Sequence, residues 1–173
     1  MVKIILKYFF DKLGYKVINI KKKEIEINSQ IEKLGIISNR SLLFKSFSLF
    51  EKLKRNFPEL KIEEEGCGFL MSFENLKLYI ESPEELFILN EVFIDADYNF
   101  LANEKTIVFD IGMNIGIASI FFANKINVSK VYGFEPVEET YKQAIKNLEY
   151  NPKLKDKIET FNQKNSSRLC LGV

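Results

Sequence analysis

The chain has 173 residues, 46% of them hydrophobic and 28% charged, with a formal net charge of +1. That length holds one domain, or a small module with part of a larger one, and no stretch approaches the roughly eighteen apolar residues of a membrane span. There is no histidine, which removes the commonest general base, every His-based triad and most zinc sites, so any chemistry falls to carboxylates, amides, Lys, Tyr or a bound cofactor.

The opening MVKIILKYFFDKLGY has the apolar run of a signal peptide, but Lys7, Asp11 and Lys12 interrupt it and no small-residue cleavage site follows, so it reads as a mature N-terminus. Cys67 and Cys170 fit no metal or redox spacing and read as free intracellular thiols. The first 60 residues are basic on balance and the remainder acidic. Most of those lysines are scattered among apolar positions of helical period, which favours a solvated helix face over a nucleic-acid or lipid patch.

Val2, Leu6, Phe9, Phe10 and Leu13 recur every three or four residues and predict an amphipathic helix ended by Gly14. A short strand is expected from Tyr15 to Ile20, then a weak helix that stops at Gly35. Asn39 or Ser41 can cap a stronger helix with Leu43, Phe47, Phe50, Leu53 and Phe57 on one face, ended by Pro58. The phenylalanine stripe suits a core or a partner surface better than a ligand site.

After Glu63-Glu64-Glu65 and Gly66-Cys67-Gly68 the period changes to two. Phe69, Met71 and Phe73 alternate with Leu70 and Ser72, and beyond Glu74-Asn75 the residues Leu76, Leu78 and Ile80 alternate with Lys77 and Tyr79, which predicts a β-hairpin. The change places a boundary within residues 60–68, between an N-terminal helical region, 1–66, and a second domain, 67–173. Ser82-Pro83-Glu84-Glu85 signals a helix start that continues through Leu86, Leu89, Asn90, Phe93 and Ile94. Asp95, Asp97 and Asn99 have calcium-loop spacing. Phe100 stands where that loop needs glycine and Thr106 where it needs glutamate, so an acidic linker is expected and no metal site.

Ile107, Val108 and Phe109 form an apolar run that stops at Asp110 and enters the turn Gly112-Met113-Asn114-Ile115-Gly116. IASIFFANKI follows with helical spacing, and a second run, KVYGFE, ends on Glu135. This is one β-α-β unit with glycines at the strand-to-helix handover, the arrangement of a nucleotide-type site. The turn's N–H groups and the helix N-terminus are expected to face the ligand, with the acid of the second strand beside it. Pro136 starts another helix, with Tyr141, Ala144, Ile145 and Leu148 on its buried face, and Ile158 to Phe161 begins a third strand. The fold class is α/β: an incomplete Rossmann-like sheet preceded by a mostly helical segment and a β-hairpin.

A dinucleotide site wants G-x-G-x-x-G. Gly112 can be the first glycine, but Asn114 and Ile117 stand at the other two positions, which disfavours an NAD-binding module. The spacing acid-x-G-x-(G or N)-x-G is that of Rossmann-like methyltransferases binding S-adenosylmethionine. Gly112 lets the backbone approach the ligand, Asn114 tolerates left-handed geometry, and Glu135 can accept both ribose hydroxyls. A tight turn with no ligand is the competing reading.

VFDIGMNIGIASIFFA followed by VYGFEPVEETYKQAIKNLEYN closely resembles the FkbM family of methyltransferases, which typically shows a D-x-G-x-N-x-G turn, a helix, a strand ending F-E-P and a helix ending N-x-x-x-N. Here these are Asp110, Gly112, Asn114 and Gly116, then Phe134-Glu135-Pro136, then Asn147 and Asn151. SPEELFILNEVFIDADYNF is similar to the family's lead-in to its first strand. The resemblance spans residues 67–162, and residues 1–60 carry none.

The resemblance implies a class I methyltransferase sheet and transfer of a methyl group from S-adenosylmethionine to an oxygen of a sugar, glycan or natural product, in the cytoplasm. Asp110 would orient the turn that Gly116 closes, Gly112, Met113 and Asn114 would contact the methionine part, and Glu135 would hold the ribose. The expected partner is a small-molecule or glycan acceptor, with no nucleic acid and no membrane span. A fourth strand beside the first, and the acidic segment that succeeds it in the family, have no counterpart, and NSSRLCLGV does not match family sequence. The chain therefore reads as a truncated methyltransferase. The alternative is a non-catalytic remnant or half of a split protein, associating with itself or with a complementing C-terminal fragment. No base can be assigned, although Asp95, Asp97 and Tyr98 precede the first strand.

Overall fold

A computed structural model describes residues 12–14, 19–95 and 104–162. The expected N-terminal helix up to residue 11 and the start of the strand expected from Tyr15 lie outside the described residues. The chain divides into two units, Met1–Ile37 and Ser38–Val173. In the first, α1 (Ile20–Lys33) opens where the Asn19 side chain accepts the Lys22 N–H at 3.1 Å. Ile20, expected to end a strand, therefore starts a helix, because an asparagine cap satisfies an otherwise orphan donor there.

The division between 37 and 38 differs from the boundary expected in 60–68. Residues 38–66 belong to the second unit because they supply its first strand and the helices that pack on it. The single helix expected over 39–57 is two, α2 (Arg40–Lys45) and α3 (Phe47–Asn56). They part at buried Ser46, whose Oγ donates to the Leu42 carbonyl at 2.8 Å, a local bond that competes with the helical ladder. Leu43, Phe47, Phe50 and Leu53 are buried, as their spacing predicts. Asn39 is not a side-chain cap. Its Nδ2 donates to the Gly68 carbonyl at 3.0 Å and its N–H to Glu64 at 2.7 Å.

The expected hairpin is part of a three-stranded antiparallel sheet in the order β1 (Lys61–Glu65), β2 (Gly68–Phe73), β3 (Leu76–Ile80). The acidic run Glu63-Glu64-Glu65 forms its outer strand, and charged side chains of this kind keep an edge from pairing with other chains. Glu74 and Asn75 both take positive φ, 47° and 63°, which suits the tight turn between β2 and β3. The next helix, α4 (Pro83–Phe93), is capped as expected: Ser82 Oγ accepts the Glu85 N–H at 3.1 Å, and Glu85 accepts the Glu81 N–H at 2.7 Å.

The parallel layer comes next: β4 (Thr106–Ile111), α5 (Ile117–Ala123), β5 (Val128–Phe134), α6 (Glu138–Glu149), a 3-10 turn (Pro152–Lys157) and β6 (Ile158–Phe161). The order is β4-β5-β6 with both pairings parallel, so the fold is mixed α/β with a three-stranded parallel sheet. Pro136 precedes α6 rather than opening it. A chain of ring contacts, Phe57 to Phe73 (4.7 Å), Phe73 to Phe93 (5.1 Å) and Phe93 to Phe121 (5.2 Å), ties α3, β2, α4 and α5 into one core.

Val131 and Ile158 are buried on the helix-covered face of the sheet. The other face is open. Ile107, Phe109 and Ile111 are 55%, 65% and 85% exposed, Phe109 stacks on Tyr132, and Phe134 stacks on Phe161. The outer edge of β4 pairs with no described strand. Parallel sheets are ordinarily covered on both faces.

Candidate functional site

The C-terminal ends of β4 and β5 converge on the turn 112–116. Asp110, next to last in β4, accepts a hydrogen bond from Ser119 Oγ at 2.6 Å, which anchors the strand end to α5. Burial pushes its carboxyl above the ordinary aspartate range and the nearby Glu135 charge adds to the rise, while hydrogen bonds from Ser119 oppose it. Gly112 has φ 79° and open space where a side chain would begin. Asn114 adopts the left-handed geometry anticipated for it, φ 52°, and its Oδ1 accepts the Ile115 N–H at 2.7 Å. Gly116, at φ 84°, lets α5 approach α6: a Cβ there would lie 3.5 Å from that of Ala144.

Met113 is 2% exposed, and its Sδ sits 2.5 Å from where a Gly133 side chain would begin. The thioether is thus tucked beneath the turn, and only the Met113 backbone can face a ligand. Glu135, 6% exposed, points back at the turn. It accepts the Asn114 N–H at 3.0 Å and the Val137 N–H at 2.8 Å.

The expectation that the turn's N–H groups face a ligand is not met. Gly112 and Met113 both donate to the Phe134 carbonyl, at 2.8 and 3.0 Å, and Gly116 donates to the Met113 carbonyl at 2.9 Å. With Asn114 donating to Glu135 and Ile115 to the Asn114 side chain, all five amides are engaged within the protein. Such a turn is no cradle for a pyrophosphate, which needs several free N–H donors.

Beside the turn lies a cavity of about 160 Å³, walled by Asp110, Gly112, Met113 and Asn114 and, from α4, by Ile88, Glu91 and Val92. Glu91 is absent from the sequence-based expectations. Its one signal is that α4 carries no other charge beyond its first turn. Asp95, considered as a base, is exposed and pairs with Lys52 on α3, while Asp97 and Tyr98 lie outside the described residues. Two larger grooves, of about 380 and 430 Å³, lie along the start of α6 and beyond its end. Side chains in the first are already paired, Gln143 with Glu85 and Lys146 with Glu65. Among the described residues no group of three His, Cys, Asp or Glu could hold a metal, and no described helix is long and apolar enough to cross a membrane.

No protein-family model matches the chain, and no curated protein matches it. Among solved structures it is similar to TYW2 of Pyrococcus horikoshii in complex with MeSAdo, at 17% identity and TM-score 0.43, over 77% of this chain and 49% of that one. It is also similar to Trm5 of Methanocaldococcus jannaschii in complex with adenosine, at 19% identity and TM-score 0.34, over 60% and 29% of the two chains. Spermidine synthase of Thermotoga maritima gives 18% identity and TM-score 0.37, over 60% and 36%. The likeness is one of fold. The chain spans less than half the length of each of these proteins.

Proposed function

We propose that the chain carries the nucleoside-binding half of an S-adenosylmethionine-dependent methyltransferase of FkbM type, acting on an oxygen of a sugar, glycan or natural product in the cytoplasm. The observation that carries this reading is the charge character of the strand ends. Every amide of the turn is engaged internally, while Asp110 and Glu135 flank it as carboxylates. A dinucleotide would bring an anionic pyrophosphate to acids with no free donor. S-adenosylmethionine brings a sulfonium and an ammonium, which those acids attract.

The residues present fit that ligand. Each Glu135 oxygen accepts one backbone N–H and keeps a lone pair for a ribose hydroxyl. Gly112 leaves room at the mouth of the cavity, and Asn114 stands between the cavity and Glu135. Bound there, S-adenosylmethionine would supply an electrophilic methyl group. The protein's part is to align it with the acceptor and to exclude water. An acceptor hydroxyl also needs a base, and no described residue is assigned that role. Calorimetric titration with S-adenosylmethionine and with NAD tests the reading: binding of the first and not the second is expected, and tighter NAD binding overturns it.

The exposed row Ile107, Phe109 and Ile111 favours a second reading, in which the chain works by association, with itself or with a chain that supplies further strands. Sedimentation velocity over a range of concentrations separates an associating chain from a lone one.

A further inference from the structure

We infer that Glu91 binds the α-ammonium group of the amino-acid end of the ligand, an inference that rests on the S-adenosylmethionine reading above. A cavity of about 160 Å³ is smaller than the roughly 300–1,000 Å³ that encloses a whole small-molecule ligand, so it suits one end of a longer one. Its walls are apolar at Ile88, Val92 and Ile117, and its anionic groups are Glu91 and Asp110. Asp110 already accepts from Ser119. The Glu91 side chain forms no hydrogen bond or ion pair with any described residue, and it is half-buried. A carboxylate that lines a cavity and has no partner of its own is free to pair with a cation that enters.

The helix that presents Glu91 is rigidly placed. Leu89 and Val92 on either side are 0% and 1% exposed, and the Ser82–Glu85 capping pair fixes its start. Asn114 lines the cavity on one side and donates its N–H to Glu135 on the other. A ligand with its ribose at Glu135 therefore crosses Asn114 and sends its amino-acid tail toward Glu91. With the turn's amides engaged, the cavity offers the tail's ammonium a partner.

The test compares two ligands on the full chain. S-adenosylhomocysteine has the amino-acid end; 5′-methylthioadenosine has the same nucleoside and a thioether without it. By calorimetry, Glu91→Gln is expected to weaken S-adenosylhomocysteine binding about tenfold and to leave 5′-methylthioadenosine binding unchanged, with an unaltered thermal unfolding midpoint. Equal affinity of wild type and variant for S-adenosylhomocysteine overturns the role of Glu91 and leaves the site reading standing. Equal weakening of both ligands also overturns it, because Glu91 would then act on the shape of the site. Failure of the wild type to bind either ligand overturns the site reading itself, and the role of Glu91 with it.

Discussion

Asn147 pairs with Tyr79 as a neighbouring strand would. Its Oδ1 accepts the Tyr79 N–H at 2.6 Å, and its Nδ2 lies 3.3 Å from the Tyr79 carbonyl. One helical turn later Asn151 repeats the pattern on Lys77, accepting its N–H at 3.0 Å and donating to its carbonyl at 2.6 Å. Asn151 lies just beyond the end of α6, and alternate residues of an edge strand turn their N–H and C=O groups the same way. The two amides therefore close the free edge of β3 without a fourth strand. Asn147 Nδ2 also donates to the Ile115 carbonyl at 2.9 Å, so one side chain joins the antiparallel sheet, α6 and the turn at the site.

Asn147→Ala should accordingly destabilise the fold by about 2–4 kcal/mol, since it leaves a buried N–H and a buried carbonyl without partners. Urea unfolding measures this. Asn151→Ala should cost less, because Lys77 sits closer to solvent. A loss under 1 kcal/mol at Asn147 would mean that water replaces the amide.

Glu135→Ala should weaken S-adenosylmethionine binding by about 1–3 kcal/mol, the range for a lost charge-assisted hydrogen bond. It should also lower stability, because the Asn114 and Val137 amides lose their acceptor. Calorimetry and denaturation on the same preparation separate the two effects. An unchanged dissociation constant would remove Glu135 from the ribose contact and leave it as a clasp on the turn.

The parts of this architecture that sequence could reveal are those set by single residues in obligatory conformations. Gly112, Asn114 and Gly116 each take positive φ, and the two apolar runs that flank them become adjacent parallel strands. The third strand, Ile158–Phe161, takes its place outside the second, and its short apolar run after α6 is legible in the same way. The hidden parts depend on choices among partners. Nothing in the composition of residues 112–116 says that the Phe134 carbonyl takes two of their amides. Lys61–Glu65 carries no apolar face, so its pairing with β2 leaves no trace in hydropathy. A lone acid such as Glu91 looks the same in sequence whether it meets solvent or a cavity. The change of period at 60–68 marks a change of element, whereas the division into two units at 37–38 leaves β1 and α3 in the second unit.

Asp110 links stability and binding in opposite senses. Because its folded carboxyl is held above the ordinary range, chiefly by burial, the folded state takes up a proton at Asp110 more readily than the unfolded chain does. That contribution to stability is complete below the ordinary aspartate range and is lost as pH rises through the raised value. Asp110→Asn keeps an acceptor for Ser119 and never ionises, so at pH 7 it should be at least as stable as the wild type, the difference closing in acid. Binding of a cationic ligand should fall about tenfold, or about 1.4 kcal/mol, and in the wild type it should weaken as acid protonates Asp110. Thermal unfolding and calorimetry across pH check both signs. A variant less stable than the wild type at pH 7 would show that the Ser119 bond outweighs the desolvation.

The open face of the parallel sheet makes the last prediction. Ile111 is 85% exposed and Phe109 65%, on a strand whose outer edge is unpaired among the described residues. Aromatic rings continue the patch across the sheet at Tyr132, Phe134 and Phe161. A contiguous apolar surface of this kind is either covered by a partner or prone to association. Replacing Phe109 and Ile111 together by lysine should change the unfolding free energy by no more than about 1 kcal/mol, since neither side chain is in the core. The same change should abolish concentration-dependent association in sedimentation velocity and leave S-adenosylmethionine binding intact, because the cavity lies among Asp110, Asn114 and the residues of α4. Association that survives the double substitution would place the contact elsewhere, and a wild type that stays monomeric at every concentration would leave the face a partner other than itself.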